Sequence, residues 1–255
     1  MLKKRVIPIL LYANGRLVKT ARFDLDAARD VGDPVKSVAV YNSQLADEIV
    51  LLNIEREARG WRALAPLVES VAKVCFTPLT IGGGVVTFED AAALISSGAD
   101  KVVINSAAYQ DKRLITQVAE HFGAQAVIVG IDVRRGEAGR PVLFSDCGMT
   151  IEPVDLDQHI RSVVAAGAGE ILMQSIDRDG MMQGYDVDLL ATASQIATVP
   201  TIGAGGSGTY DHLLRAFTEG GVAAVACASI FHFSDSNPLR AKAFLTNHGL
   251  HFKVV

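Results

Sequence analysis

Asp132 closes the run Val127-Ile128-Val129-Gly130-Ile131, and a carboxylate at the end of so apolar a stretch is suited to moving a proton. Partial desolvation with little compensating charge raises a carboxyl pKa toward neutrality, where general acid–base chemistry is most effective. The competing reading is a carboxylate held in place by hydrogen bonds to a nearby loop. Two glycine turns supply a second kind of chemistry. Gly82-Gly83-Gly84 lies between an apolar segment, Phe76 to Ile81, and a helix opening near Thr87-Phe88-Glu89-Asp90. Without Cβ atoms the backbone there can present N–H groups to an anion at the positive end of the helix, and phosphate is the anion expected. One such turn has an equally good steric explanation, since tight strand-to-helix turns use glycine anyway.

The turn occurs twice. Pro200-Thr201-Ile202-Gly203-Ala204-Gly205-Gly206 restates Pro78 to Gly84 at an offset of 122 residues, and Thr87, Phe88, Glu89 and Gly98 meet Thr209, Tyr210, Asp211 and Gly220 at that same offset. Asn105-Ser106 has its counterpart in Ala228-Ser229. Upstream, Glu48-Ile49 matches Glu170-Ile171, and Val6-Ile7 with Gly15 matches Val127-Ile128 with Gly136 at 121. Two similar halves, approximately 1–122 and 123–255, each carry about four β-α units. The eight units predict an α/β fold, a (β/α)8 TIM barrel.

The elements that would position these groups follow from apolar runs and breakers. Barrel strands are expected at Arg5 to Leu11, Glu48 to Ile54, Phe76 to Ile81, Lys101 to Asn105, Ala126 to Val133, Glu170 to Ser175, Val199 to Gly203 and Val222 to Ala226, each buried on both faces. Pro34 is suited to open the first helix. Arg16 to Asp33 reads as a long charged connection of a functional or mobile kind, and Arg134 to Pro153 as a small β excursion.

A length of 255 residues, 49% of them hydrophobic, suits one barrel domain. A formal charge of −4 without basic runs argues against nucleic-acid and anionic-membrane partners. Cys75, Cys147 and Cys227 are odd in number and widely spaced, which favours isolated thiols over a disulfide framework or metal site. No cofactor or metal is expected. The basic start, Met1 to Arg5, leads into a short apolar run broken by Pro8, so neither a leader nor a membrane span is expected, and the reading is a cytoplasmic protein.

Reactive groups of such barrels lie at the C-terminal ends of the strands. There the repeat partner of Asp132 is Leu11, so one carboxylate faces one aliphatic group where duplication could have supplied two carboxylates. At the other end Arg5, Glu48, Lys101 and Glu170 all stand at strand starts, where inward-pointing charges must pair. Such a cluster could simply plug the barrel bottom. Lys19, in the first βα connection, is either a lid residue over a bound phosphate or a solvated lysine. His232, between Phe231 and Phe233, reads as a packed structural histidine.

Taken together, Arg5-Val6-Ile7-Pro8, Gly15-Arg16-Leu17-Val18-Lys19, Gly32-Asp33-Pro34, Ala46-Asp47-Glu48, Gly82-Gly83-Gly84, Lys101 to Asn105, Gly130-Ile131-Asp132, Gly180 with Gly184-Tyr185-Asp186, and Ala228 to Phe233 resemble the cyclase subunit of imidazole glycerol phosphate synthase over essentially the whole chain. The resemblance implies a barrel paired with a glutamine amidotransferase (glutaminase) subunit, which delivers ammonia through the barrel to a phosphorylated ligand. It implies that Gly84, Asn105 and Ser106 bind one phosphate, and that Asp179, Gly180, Gly205, Gly206, Ala228 and Ser229 serve the other, with Lys19 closing over the ligand. Arg5, Glu48, Lys101 and Glu170 would form the ammonia gate, and Asp100 and Gln125 would face the glutaminase.

The departures fall on the chemistry. In that family the positions of Leu11 and Asn53 carry carboxylates, the first of them catalytic together with that at Asp132, and serine is usual at Ala204. Loss of one of two acid–base groups costs about 10²- to 10⁴-fold in rate. Ile9 to Thr20 resembles instead a paralogous branch that serves acetamidino sugar synthesis for surface polysaccharide (lipopolysaccharide O-antigen), together with a glutaminase and a sugar-modifying synthetase. That branch is the favoured expectation, with a histidine-pathway cyclase and a non-catalytic, glutaminase-activating barrel as alternatives.

Overall fold

Parallel strands covered on both faces need near-continuous apolar sequence, and eight such segments close into a ring in the computed structural model, which describes residues 3–55 and 61–253. In chain order the strands are β1 (Arg5–Ala13), β2 (Arg16–Ala21), β3 (Asp24–Gly32), β4 (Ile49–Asn53), β5 (Leu79–Gly82), β6 (Lys101–Ile104), β7 (Val127–Arg135), β8 (Pro141–Ser145), β9 (Thr150–Glu152), β10 (Glu170–Ser175), β11 (Thr201–Ala204) and β12 (Ala224–Cys227). Parallel pairing runs β1-β4-β5-β6-β7-β10-β11-β12 and returns to β1, where Ile7 lies opposite Ala226. This is the closed (β/α)8 barrel that the apolar runs predict. Among the described residues no helix is long and apolar enough to cross a membrane.

Alternation along each strand sorts the side chains into two cores. Ile7, Ile9, Val50, Val103, Ile128 and Leu172, with Ile202 and three alanines, fill the barrel interior. The residues between them, such as Val6, Ile49, Ile81 and Val129, pack outward against the helices. The helices begin where the sequence supplies caps. Asp33 accepts from the Lys36 N–H in front of Pro34–Ser43, with Pro34 in the first turn. Thr87 and Thr209 form reciprocal capping boxes with Asp90 and His212, each just beyond a glycine turn.

Two expectations need correction. Arg16 to Asp33, expected only as a long charged connection, contains two strands: β2 pairs antiparallel with both β1 and β3 as a hairpin above the barrel mouth. Its turn is made by Arg22 and Phe23 with φ of 53° and 65°, a left-handed pair that matches the twist of a two-residue hairpin. Phe76 does not begin a buried strand either. β5 starts at Leu79, and Phe76 is 86% exposed at the opposite end of the barrel. The β excursion expected after β7 is present as β8 and β9, also antiparallel.

Candidate functional site

The two glycine turns adopt the same strained geometry for the same reason. Gly83 and Gly205 have φ of 94° and 88°, and a Cβ there would lie 2.0 Å from the Asn53 carbonyl oxygen and 2.5 Å from that of Ser175. Both backbones press against the preceding barrel strand at equivalent points, so only glycine fits. The next strand ends repeat as well. Asn105 (φ −121°, ψ −88°) precedes the short helix Ser106–Gln110, and Ala228 (φ −120°, ψ −76°) precedes Ser229–His232. Sequence reading identified the strand ends but not that a short helix begins at each.

Gly83, Gly84 and Ser106 on one side and Gly205, Gly206 and Ser229 on the other border a single cavity of about 350 Å³ at the mouth. Counting around the ring, β5 stands opposite β11 and β1 opposite β7. The turns therefore face each other, and Leu11 faces Asp132 across the line between them. Ser229 Oγ is buried with no hydrogen-bond partner, an orphaned donor at the rim of the second turn. A phosphate oxygen would satisfy it. Ser106 Oγ accepts from the Asp146 N–H at 3.1 Å.

Asp132 is the perturbed carboxylate of the mouth. Burial pushes its pKa up to about 7, opposed by a hydrogen bond from Asn105 and reinforced by the negative charge of Asp179. Asn105 Nδ2 donates to Asp132 Oδ2 at 2.9 Å. A carboxyl group poised at neutrality beside a cavity can donate or accept a proton. Asn53 is buried beside Gly83, and its Oδ1 accepts from the Glu55 N–H at 3.0 Å.

Lys19 is neither solvated nor in a loose loop. It is buried on β2, donating to the Thr20 carbonyl at 2.6 Å and to the two Asp179 carboxylate oxygens at 2.9 and 3.1 Å. Thr20 Oγ1 also donates to Asp179, and the Arg22 N–H donates to the Asp179 carbonyl. Gly180 follows at φ 74°, where a Cβ would sit 2.4 Å from the Thr20 carbonyl oxygen. Phe23 reaches across to Gly148 in the β8–β9 connection. The β2–β3 hairpin is thus drawn over the mouth, held on one side by its pairing with β1 and on the other at Asp179.

The opposite end carries the charged ring. Arg5 Nη1 donates to Glu48 at 2.7 Å and to Glu170 at 3.2 Å, with a second, shorter contact from Nη2 to Glu170. Lys101 Nζ donates to Glu48 at 2.8 Å and to Glu170 at 2.6 Å. Signs alternate around a closed four-membered circuit, and Thr80 Oγ1 satisfies the other Glu48 oxygen at 2.7 Å. Burial pushes Glu170 up, but Arg5 and Lys101 outweigh it and hold the carboxyl below its ordinary value. Asp100 and Gln125 lie exposed at this end, Asp100 accepting from the Leu79 N–H and Gln125 donating to the Phe122 carbonyl.

His232 is packed, its Nδ1 3.3 Å from the Tyr41 hydroxyl, and burial with the nearby Lys19 charge pushes its pKa down to about 4. Among the described residues Cys75, Cys147 and Cys227 form no disulfide, and Cys147 lies in the β8–β9 connection at the cavity edge. Sequence reading missed Gln174, which lines the cavity beside Asp132. The signal was available, because Glu170, Leu172 and Gln174 alternate on one face of β10. Compared with known proteins, residues 5–237 match a family model described as “Histidine biosynthesis protein”.

Proposed function

The chain belongs to the histidine biosynthesis protein family, and from that premise we propose that it is a synthase subunit of the cyclase type. It receives ammonia from a glutamine amidotransferase partner and binds a phosphorylated ligand at the barrel mouth. Its service is to acetamidino sugar synthesis for surface polysaccharide. The observation that carries this reading is the pairing of Asp132 with Leu11 across a mouth whose two glycine turns are both kept. A barrel that closes an imidazole ring with two carboxylates would not place an aliphatic side chain at one of them.

Within this reading each group has a task set by its chemistry. The N–H groups around Gly84 and Ser106, and those around Gly205, Gly206 and Ser229, take the phosphates. Asp132 supplies or removes one proton, oriented by Asn105. Ammonia enters through the ring of Arg5, Glu48, Lys101 and Glu170 and crosses the apolar interior, where an uncharged molecule travels at lower cost than ammonium. The glutaminase docks beside Asp100 and Gln125. Phe76, exposed at that same end, is an aromatic of the kind that anchors interfaces.

The test is ammonia-dependent turnover of the histidine-pathway bisphosphate by the wild type, Leu11→Asp and Asp132→Asn. The expected result is no turnover by the wild type and its appearance in Leu11→Asp. Wild-type turnover at the rate of a working cyclase, abolished by Asp132→Asn, would instead establish the second reading, a histidine-pathway cyclase subunit working with one carboxylate. That alternative draws on the geometry at Asp132, which borders the cavity and accepts from Asn105 Nδ2 at 2.9 Å, a placement suited to a single acid–base group.

A further inference from the structure

The inward-facing position at which each strand leaves the barrel is occupied very unevenly. The interior cluster fixes which residues point inward, since Val103, Ile128 and Leu172 belong to it and strand alternation then turns Asn105, Asp132 and Gln174 the same way. These three stand on the adjacent strand ends β6, β7 and β10, with Asp132 and Gln174 in direct register. The remaining five strand ends, also adjacent around the ring, carry Ala204, Ala228, Leu11, Leu52 and Gly82. Leu11 and Leu52 are in register as well. The duplicated ring has thus split into a polar arc of three and an apolar arc of five. Leu11 mirrors Asp132, and Leu52 mirrors Gln174.

Of the other polar side chains near the apolar arc, Ser229 Oγ is left for the phosphate, and two more are committed elsewhere. Lys19 is held by Asp179 and Thr20, and the Asn53 Oδ1 by the Glu55 N–H. From above, Phe23 and Leu25 of the hairpin complete the apolar wall. Ala228 is small and leaves room beside Leu11 in the cavity, while Leu52 packs over Gly82, where a Cβ would lie 2.8 Å from Leu52 Cδ2. A polyhydroxylated group placed there would lose its water without gaining partners, at a cost that an aromatic or hydrocarbon edge avoids.

We infer that Leu11 and Leu52 are specificity-determining residues that make the mouth select a phosphorylated ligand with an aromatic or deoxygenated edge on the β12–β1–β4 side, its exchangeable groups facing Asn105, Asp132 and Gln174. The inference rests on the reading that the glycine turns hold phosphate. A phosphate seated at Ser229 lies next to Ala228 and places the group it carries along Leu11.

The experiment is calorimetric titration of the full chain with phenyl phosphate, ribose 5-phosphate and inorganic phosphate, each repeated on Leu11→Asn and Leu11→Thr. Phenyl phosphate is expected to bind about tenfold more tightly than ribose 5-phosphate, the gain from covering an aromatic face with two leucines. Both should compete with inorganic phosphate. In whichever Leu11 variant keeps a cooperative melt, the two affinities should converge to within about twofold while inorganic phosphate binds as before. Equal affinities in the wild type, or a preference that survives the Leu11 variants, overturn the inference and leave the phosphate sites standing. Failure of all three compounds to bind removes the phosphate reading and the inference with it.

Discussion

Asn105 donates its side-chain amide to Asp132 at 2.9 Å from the neighbouring strand end, a bond that favours the ionised carboxylate while burial favours the neutral one. Burial prevails, and the group is poised near pH 7. Asp132 therefore binds its proton more tightly in the folded chain than in the unfolded one. Its contribution to stability is greatest below about pH 4 and is lost as pH rises toward 7.

Asp132→Asn removes that penalty. The variant should unfold at higher urea than the wild type, with the difference opening between about pH 4 and 7 and flat above. At the plateau the gain is roughly 4 kcal/mol, about three pKa units of linkage. Urea midpoints at pH 4.5, 6 and 8 measure it, and a difference independent of pH would contradict the assigned pKa.

Opening the ionic circuit at the far end has the reverse sign. Glu170→Gln leaves Arg5 and Lys101 sharing Glu48 alone and should cost about 3–5 kcal/mol at pH 7. Since the Glu170 pKa is lowered, this contribution is present above the ordinary carboxyl value and is lost as pH falls through the folded value. The gap between variant and wild type should narrow on acidification, and a gap that widens would place Glu170 outside the circuit.

The glycine turns separate steric need from chance. Gly83→Ala and Gly205→Ala drive a Cβ into a strand carbonyl and should each cost more than about 3 kcal/mol. Gly15→Ala shares a positive φ, 76°, but meets nothing within 4 Å, so its cost should stay near 1 kcal/mol. Denaturation midpoints of the three variants give the comparison.

The fastening of the hairpin at Asp179 can be released. Asp179→Asn strips Lys19 of its buried counter-charge, worth about 3 kcal/mol, so local opening of residues 16–32 should increase about 100-fold. Hydrogen exchange should register the change in that segment and leave β7 and β10 protected. Unchanged exchange in residues 16–32 would show that the hairpin is held elsewhere.

Sequence made the barrel readable because duplicated glycine turns and apolar runs are local signals of a backbone requirement. Gly83 and Gly205 announce themselves, since no other residue fits where they lie. The hairpin over the mouth was hidden for the opposite reason. Arg22 and Phe23 form its turn without the Asn-Gly or Asp-Gly pair that usually marks one, and the charges on its flanks resemble those of a loop. Phe76 misled because an aromatic three residues before a buried strand looks like part of it. The commitment of Lys19 to Asp179 joins residues 160 apart, and no local pattern encodes such a partnership. Gln174 was legible but lay inside a strand, where polar residues draw less notice than at its end.

The matching dihedrals of Asn105 and Ala228 carry a consequence for heredity. The two halves have kept one chassis while their side chains drifted apart, so the halves are spare parts for one another. A gene that joins two copies of the segment 123–255 would install an aspartate at both facing strand ends, and so a pair of carboxylates, without a single point mutation.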